Sequence, residues 1–191
     1  MTSPAFDYAC VHGRFQPPHN GHLEYISAAL DQCKFLWIGI TRYDILDTQE
    51  CEIAKHRVDR INNPLTYFER IGIISEMLQD QGIDKNRFTF IPFPIDQPQH
   101  LPQFLPTDIP CFTTVCDDWN RHKISVLEKL GYRVIVLWER KEKTISGHVI
   151  RDSIRRESKI WETMVPRATQ KAVSKLDLQN RLKQLSSRIG D

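Results

Sequence analysis

Short apolar segments alternate with segments of helical periodicity along most of this chain, and this alternation constrains the fold more than any other feature. Five runs rich in β-branched and aromatic residues predict strands, at residues 7–12, 34–41, 87–93, 111–116 and 132–138. Between them, apolar residues recur at helical spacing. These are Leu23, Ile26 and Leu30, then Phe68, Ile71, Ile74 and Leu78, then Val126, Leu127 and Leu130. The order predicts a Rossmann-like α/β fold with a doubly wound, parallel five-stranded sheet.

Two segments interrupt this order. Residues 42–64 are polar and show no clear period, and residues 92–110 carry six of the eleven prolines, which is expected to exclude regular structure there. Long loops of this kind are usually functional or disordered, and ligands of open α/β sheets bind at the carboxyl ends of the strands. Near the C-terminus, one helical stripe is formed by Leu178, Leu182, Leu185 and Ile189. We therefore expect one domain over residues 1–165, with a C-terminal helical extension over residues 166–191 packed on it.

Composition excludes several classes of partner. The net charge of +2 argues against wholesale binding to nucleic acid or to a membrane surface. No apolar run approaches the roughly 20 residues of a transmembrane helix, and the N-terminus lacks the layout of a signal peptide. The five cysteines show no CxxC spacing, which favours reduced thiols. These features predict a cytoplasmic protein without a membrane or nucleic-acid partner.

The strongest local signal is the segment GRFQPPHNGH, residues 13–22, which follows the first predicted strand and opens the first predicted helix. Gly13 allows close approach of the backbone to a ligand, and the helix start supplies amides and a dipole that favour an anion. His19 and His22 are three residues apart and so project from one face. The histidine pair has two alternative interpretations. It could be part of a metal site, for which no third ligand is evident, or the segment could be a helix cap with incidental histidines. No GxGxxG or GxxxxGK[ST] is present, so the segment predicts a different phosphate-binding turn.

With its HxGH element at residues 19–22, this segment resembles the nucleotidyltransferase superfamily of adenylyl- and cytidylyltransferases. Residues 145–151, ISGHVIR, are similar to the late ISGTxxR motif of that superfamily. Residues 63–70, NPLTYFER, resemble the NPFTxxER segment of archaeal-type nicotinamide mononucleotide (NMN) adenylyltransferases. Residues 161–185 are similar to their C-terminal helix. The resemblance thus covers almost the whole chain and is greatest to those archaeal-type enzymes.

The resemblance implies transfer of a nucleoside monophosphate from a nucleoside triphosphate to the phosphate of a small molecule, with release of pyrophosphate. A phosphate monoester is already mostly ionised at neutral pH, since its second pKa is about 6, so no general base is needed. Catalysis then consists of positioning and of neutralising charge on the phosphates. The resemblance also implies Mg²⁺ bound with the triphosphate, and no dedicated protein cage for a metal is evident.

The resemblance further implies a role for each matching residue. His19, His22 and Arg151 are the candidate catalytic residues: the histidines would contact the α-phosphate, and Arg151 the outer phosphates. The candidate nucleotide-binding residues are Gly13, Arg14, Phe15, Gly21, Ser146, Gly147 and His148. The candidate acceptor-binding residues are Arg70, Asp117, Asp118 and Trp119. The alternative for Arg70 is a helix-surface arginine. For residues 117–119 it is an ordinary helix start with Asp118 as the cap and Trp119 packed.

The sequence departs from the archaeal pattern at the acceptor. Those enzymes have a tryptophan in the loop after the third strand, where this chain reads FPIDQPQHLPQFLP with Phe104 as the nearest aromatic, and His148 replaces the threonine of ISGT. ATP with NMN, giving an NAD-like dinucleotide, is the favoured substrate pair, and CTP with another small phosphate or phosphonate is the alternative. A non-catalytic nucleotide sensor is the third, disfavoured by the intact histidines. Archaeal-type relatives assemble through surfaces that include the C-terminal helix, so a homo-oligomer is also an expectation.

Overall fold

The computed structural model describes residues 4–46, 59–141 and 145–187. Its five strands are β1 (Phe6–Gly13), β2 (Cys33–Ile40), β3 (Phe88–Pro92), β4 (Cys111–Val115) and β5 (Val134–Glu139). They form one parallel sheet in the order β3-β2-β1-β4-β5. The prediction of five strands in a parallel Rossmann-like sheet is confirmed, and each strand end lies within two residues of its expected position.

The helices of the described residues are α1 (Asn20–Leu30), α2 (Tyr67–Gln79), α3 (Asp118–Lys129), α4 (Gly147–Arg155), α5 (Arg167–Lys175) and α6 (Leu178–Ser187). Short 3₁₀ turns lie at Arg60–Asn62, Lys85–Arg87, Pro98–Gln103 and Ile160–Met164. No helix in the described ranges is both long enough and apolar enough to cross a membrane.

The chain divides into two compact units. The sheet unit contains residues 1–14, 24–43 and 84–143, and the helical unit contains residues 15–23, 44–83 and 144–191. The sheet unit holds the five strands and α3, and the helical unit holds α2 and α4–α6. The predicted partition into residues 1–165 and an extension over residues 166–191 stays a prediction.

In the sheet unit, α1 supports the point where the strand order reverses. β1 pairs with β4 through one register position, Cys10 with Cys111. Beside it, the hydroxyl of Tyr25 donates to the Phe112 carbonyl at 2.5 Å and accepts from the His12 amide at 3.3 Å, so one buried side chain bridges both strands. Ligands of open α/β sheets bind at such a topological switch point. Burial, with the neighbouring Cys111, raises the pKa of the Cys10 thiol well above its usual value, so this thiol is inert at neutral pH.

The helical unit has its own apolar core. The face of α2 that is buried there includes an arginine. The core residues are Leu65, Ile73, Ile150, Ile154, Val165, Val173, Leu178 and Leu182. On α2 the buried residues are Arg70, Ile73, Ile74, Met77 and Leu78. Phe68, one of the apolar residues that recur at helical spacing, is 79% exposed. The helix instead buries Arg70, which helical periodicity in hydrophobicity cannot indicate.

The start of α2 is held by a capping box. Thr66 accepts a hydrogen bond from the Glu69 amide, and the Glu69 carboxylate accepts one from the Thr66 amide. Glu69 also pairs with Arg181 of α6 at 2.8 Å. Burial alone would raise the pKa of Glu69, but the hydrogen bonds from Arg181 and Thr66 outweigh burial and hold this pKa below its usual value of 4.5. The acidic side chain therefore stabilises the helix start as an anion.

Two expectations need correction. The proline-rich segment contains a regular element after all, the 3₁₀ turn Pro98–Gln103. Pro98 is compatible with the first position of this turn, because the backbone N–H at that position makes no hydrogen bond within a 3₁₀ turn and its absence costs nothing. The C-terminal extension consists of two helices instead of one, because Asp177 adopts the left-handed conformation with φ of 47° and ends the first. Of the expected loop over residues 42–64, residues 47–58 lie outside the described part.

Candidate active site

Residues 15–22 form a turn that ends in the HxGH element, named the HxGH turn, and this turn of the helical unit brings its two histidines into contact. The rings of His19 and His22 stack with centroids 3.6 Å apart, and the His19 amide donates to Nδ1 of His22 at 3.2 Å. Because Nδ1 accepts, a neutral His22 carries its proton on Nε2 and can donate from there. Gly21 permits this stack, since a Cβ at that position would lie 3.3 Å from the His19 ring. The predicted clustering of the two histidines is confirmed.

Phe15 shapes the beginning of the same turn. Its backbone is left-handed, with φ of 53°, which is uncommon for an aromatic residue and indicates a constrained turn. The side chain is fully buried and contacts the edge of His22 with ring centroids 4.7 Å apart. Phe15 therefore supports the histidine stack from inside the helical unit.

Residues of the C-terminal segment also form hydrogen bonds with this turn, and the sequence analysis did not identify these residues. The hydroxyl of Thr169, which is fully buried, donates to the Pro18 carbonyl at 2.9 Å. Asn20, the first residue of α1, donates from its side chain to the Thr163 carbonyl at 3.1 Å. These contacts join residues more than 140 positions apart, and no local pattern indicates them.

Arg151 is a residue of α4, four positions after Gly147, and is almost completely buried. Its guanidinium donates to the Gln16 carbonyl at 2.7 Å and to Oδ1 of Asn62 at 2.5 Å. Burial lowers its pKa to about 10, so the group remains a cation at neutral pH. The arrangement links the HxGH turn, the 3₁₀ turn that ends at Asn62 and α4 around one positive charge. Asn62 is a further residue that sequence reasoning missed.

The ISG-type motif approaches this arginine closely. Ser146 is the N-cap residue of α4, although its side chain makes no capping hydrogen bond. At Gly147 an added Cβ would lie 3.0 Å from the Gln16 carbonyl oxygen and 3.3 Å from Nη1 of Arg151, so this position favours glycine. His148 follows with an exposed side chain, and its predicted contact with a nucleotide stays a prediction.

Arg70 is the second buried cation of the helical unit. Its side chain is fully buried and Nε donates to the Thr66 carbonyl at 3.2 Å, so the alternative of a surface arginine is wrong. Burial lowers the pKa of Arg70 to about 10, which again leaves it charged at neutral pH. Charged groups whose pKa values are strongly perturbed by burial concentrate at functional sites. Two such cations in one unit favour an anionic ligand.

The remaining candidates lie in the sheet unit. Gly13 ends β1, where its carbonyl accepts from the Thr41 amide at 2.9 Å, and Arg14 follows it. At the carboxyl end of β4 the cap of α3 is Asp117, which accepts from the Asn120 amide at 2.9 Å. The alternative that made Asp118 the cap is therefore wrong, and Asp118 is exposed in the first turn. Trp119 packs against the core and stacks on His122.

The nucleotide role of Gly13 and Arg14 and the acceptor role of residues 117–119 stay predictions. Sequence reasoning also missed a buried ion pair in this unit, between Arg42 and Asp96, whose closest nitrogen and oxygen are 3.8 Å apart. The ring of the buried His12 stacks on Phe93 at 4.4 Å. Within the residues that the structure describes, no cluster of three metal-binding side chains occurs.

Comparison with known proteins agrees with this geometry. Residues 10–153 match the model of the family described as cytidylyltransferase-like. The chain is 37% identical to a phosphonoformate cytidylyltransferase of Streptomyces viridochromogenes, over 91% of this chain and 94% of that protein. It is 30% identical to a nicotinamide-nucleotide adenylyltransferase of Ignicoccus hospitalis, over 92% and 96% of the two chains.

A solved structure with the same fold is a bifunctional NMN adenylyltransferase/ADP ribose pyrophosphatase from Francisella tularensis. The TM-score is 0.67 at 20% identity, and the match covers 96% of this chain and 53% of that one. This likeness supports the fold, and the matches of family and sequence support the enzyme class. The chain therefore belongs to the cytidylyltransferase-like family and is a nucleotidyltransferase.

Proposed function

We propose that this enzyme transfers a cytidylyl group from CTP to the oxygen of a small phosphonate or phosphate, with release of pyrophosphate. The observation that carries the choice of substrates is the 37% identity, nearly end to end, with a phosphonoformate cytidylyltransferase. The sequence alone favoured ATP and NMN. The loop over residues 93–106 lacks the tryptophan of the archaeal-type NMN enzymes, which agrees with a different acceptor.

The reaction needs no general base. An ionised oxygen of the acceptor attacks the α-phosphorus of the triphosphate, one phosphorus–oxygen bond forms, and the bond to the β-phosphate oxygen breaks as pyrophosphate leaves. Charge then grows on the transferred group and on the leaving group. Donors and cations that are already in place stabilise this charge most effectively, since they need no reorganisation during the step.

Residues of the helical unit are suited to these tasks. We assign the stacked His19 and His22 to the oxygens of the α-phosphate, supported by the amides at the start of α1. We assign Arg151 to the leaving pyrophosphate, because it is a buried cation next to Gly147. Arg70, also a buried cation, is assigned to the phosphate or phosphonate of the acceptor. Mg²⁺ enters with the triphosphate as part of the substrate.

A panel of substrates tests the proposal. Pyrophosphate release is measured for each of four triphosphates with phosphonoformate, methylphosphonate and NMN, and the double variant H19A/H22A supplies the background. We expect the highest kcat/KM with CTP and a phosphonate. Turnover confined to ATP with NMN would contradict the choice of substrates and leave nucleotidyl transfer intact.

The second candidate is the ATP-dependent reaction with NMN. It is favoured by the NPLTYFER segment, whose Thr66 and Glu69 form the observed capping box at the start of α2. It is also favoured by the nicotinamide-nucleotide adenylyltransferases among the relatives. The same panel separates this candidate from the first.

A further inference from the structure

One glutamine in the HxGH turn joins it to two other segments of the helical unit. Nε2 of Gln16 donates to the Leu65 carbonyl at 2.8 Å, and the Leu65 amide donates to Oε1 of Gln16 at 2.9 Å. The backbone carbonyl of Gln16 accepts from Nη1 of Arg151 at 2.7 Å. The side chain is 3% exposed, so these bonds lie out of solvent. The two polar atoms of the side chain and the backbone carbonyl are therefore all used in contacts with distant parts of the chain.

The segment that Gln16 holds leads directly to Arg70. Leu65 precedes Thr66, the N-cap of α2, and the Thr66 carbonyl accepts from Nε of Arg70. At the other end of the segment, the side chain of Asn62 accepts from Arg151. A shift of Leu65 relative to the turn would thus move the first turn of α2 and disturb both buried cations.

We propose that Gln16 is a positioning residue for nucleotidyl transfer. Its side chain holds segment 62–66 on the HxGH turn, and this keeps Arg70 and Arg151 in fixed places relative to the histidine stack. The inference rests on the nucleotidyl transfer of this family and is independent of which triphosphate and acceptor are used. A catalyst that works by preorganised charge is sensitive to displacements of about 1 Å, so such a residue affects turnover without touching the substrates.

The chemistry of the side chain explains why glutamine suits this position. A primary amide offers one acceptor and a donor in a planar group, which matches the N–H and the C=O of Leu65 at once. Methionine has a similar length and offers neither strong group. An ionised glutamate keeps the acceptor and loses the donor, whereas a protonated glutamate regains a donor.

The first test compares Gln16→Met with the wild type, using the substrate pair that the wild type turns over best. We expect kcat to fall about 100-fold, while KM for the triphosphate stays within about threefold, since geometry is lost in the transition state more than in the bound substrate. The matched control is Tyr132→Phe in the sheet unit, which removes a buried hydroxyl that donates to the Leu105 carbonyl at 2.6 Å. We expect the control to keep its kcat.

The second test uses Gln16→Glu and a pH series from about 6 to 8. Burial favours the protonated glutamic acid, Arg151 on the neighbouring carbonyl favours the ionised form, and His19 and His22 of the same turn are common to both proteins. The ratio of kcat between variant and wild type therefore isolates position 16. We expect this ratio to rise as the pH falls, because the acid form restores the donor to Leu65.

Thermal unfolding of each variant shows whether the protein is folded, and so separates a loss of turnover from a loss of structure. The proposal is overturned if folded Gln16→Met keeps kcat within about twofold of the wild type, or if the glutamate ratio does not change with pH. It is also overturned if neither variant folds, because Gln16 would then be a residue required for folding. A wild type that uses ATP instead of CTP refutes only the proposed substrates, since both tests run with either triphosphate.

Discussion

Replacing Arg151 with methionine should separate the stability of the free enzyme from its response to a triphosphate. Burial lowers the pKa of Arg151 from 12.5 to about 10, which corresponds to an unfavourable free energy of about 3 kcal/mol at 1.36 kcal/mol per pH unit. The two hydrogen bonds to Gln16 and Asn62 oppose this, at about 1.5–3 kcal/mol each for a charged donor. We therefore expect Arg151→Met to lower the free energy of unfolding by about 0–3 kcal/mol.

The response to ligand should change more. A triphosphate at 100 times its Kd stabilises the folded wild type by about 2.7 kcal/mol. Loss of a buried charged partner weakens binding by about 2 kcal/mol or more, roughly 30-fold in Kd, so the same ligand concentration should stabilise Arg151→Met by only about 0.9 kcal/mol. Urea denaturation with and without CTP and Mg²⁺ measures both quantities on one protein.

The matched control for this experiment is Arg155→Met on the same helix. Arg155 is paired with Asp152 at 2.6 Å and is more exposed than Arg151, so its loss should leave stabilisation by the triphosphate unchanged. The reasoning is refuted if Arg151→Met loses more than about 4 kcal/mol without ligand, since the arginine would then be mainly a structural clamp. Equal stabilisation of both variants by CTP would refute the assignment to phosphate.

Three further outcomes are expected. His19→Ala and His22→Ala should each lower kcat about 100-fold or more with a smaller change in triphosphate KM, and near-normal steady-state turnover in either folded variant would remove the proposed role. Glu69→Gln should lower the free energy of unfolding by about 1–2 kcal/mol at neutral pH. Because the pKa of Glu69 is held low, the difference between variant and wild type should shrink below about pH 4.5 in urea titrations. A difference that does not change with pH would contradict this. Gly147→Ala should reduce kcat about tenfold by pushing on the Gln16 carbonyl, whereas Gly72→Ala, with open space at its Cβ, should raise stability by up to about 1 kcal/mol at unchanged kcat.

The strands and the HxGH turn could be predicted because their signals are local. A parallel strand that is covered on both faces is largely apolar, and the buried residues 9–11 of β1 and 38–40 of β2 belong to such apolar runs. The two histidines share one turn with Gly21, and their spacing alone brings them together. In both cases the residues that determine the structure are neighbours along the chain.

The buried face of α2 could not be predicted in this way. The periodic apolar residues of this helix include Phe68, which is 79% exposed, whereas Arg70 is 0% exposed. Hydrophobic periodicity assumes that the most apolar face enters the core. That assumption fails where a buried cation persists despite its burial penalty, so the failure itself marks the position as a candidate for function.

The polar contacts that give the site its geometry are the least accessible to sequence reasoning. Arg151 contacts the Gln16 carbonyl across 135 residues, Thr169 reaches Pro18 across 151, and Gln16 reaches Leu65 across 49. Each is a bond between a side chain and a backbone group, and a backbone group leaves no signature in the residue that carries it. A sequence motif therefore identifies the side chains that act on a phosphate. The distances between these side chains in the folded protein depend on residues outside every motif. Catalysis by positioned charge should for this reason be as sensitive to Gln16 as to the histidines beside it.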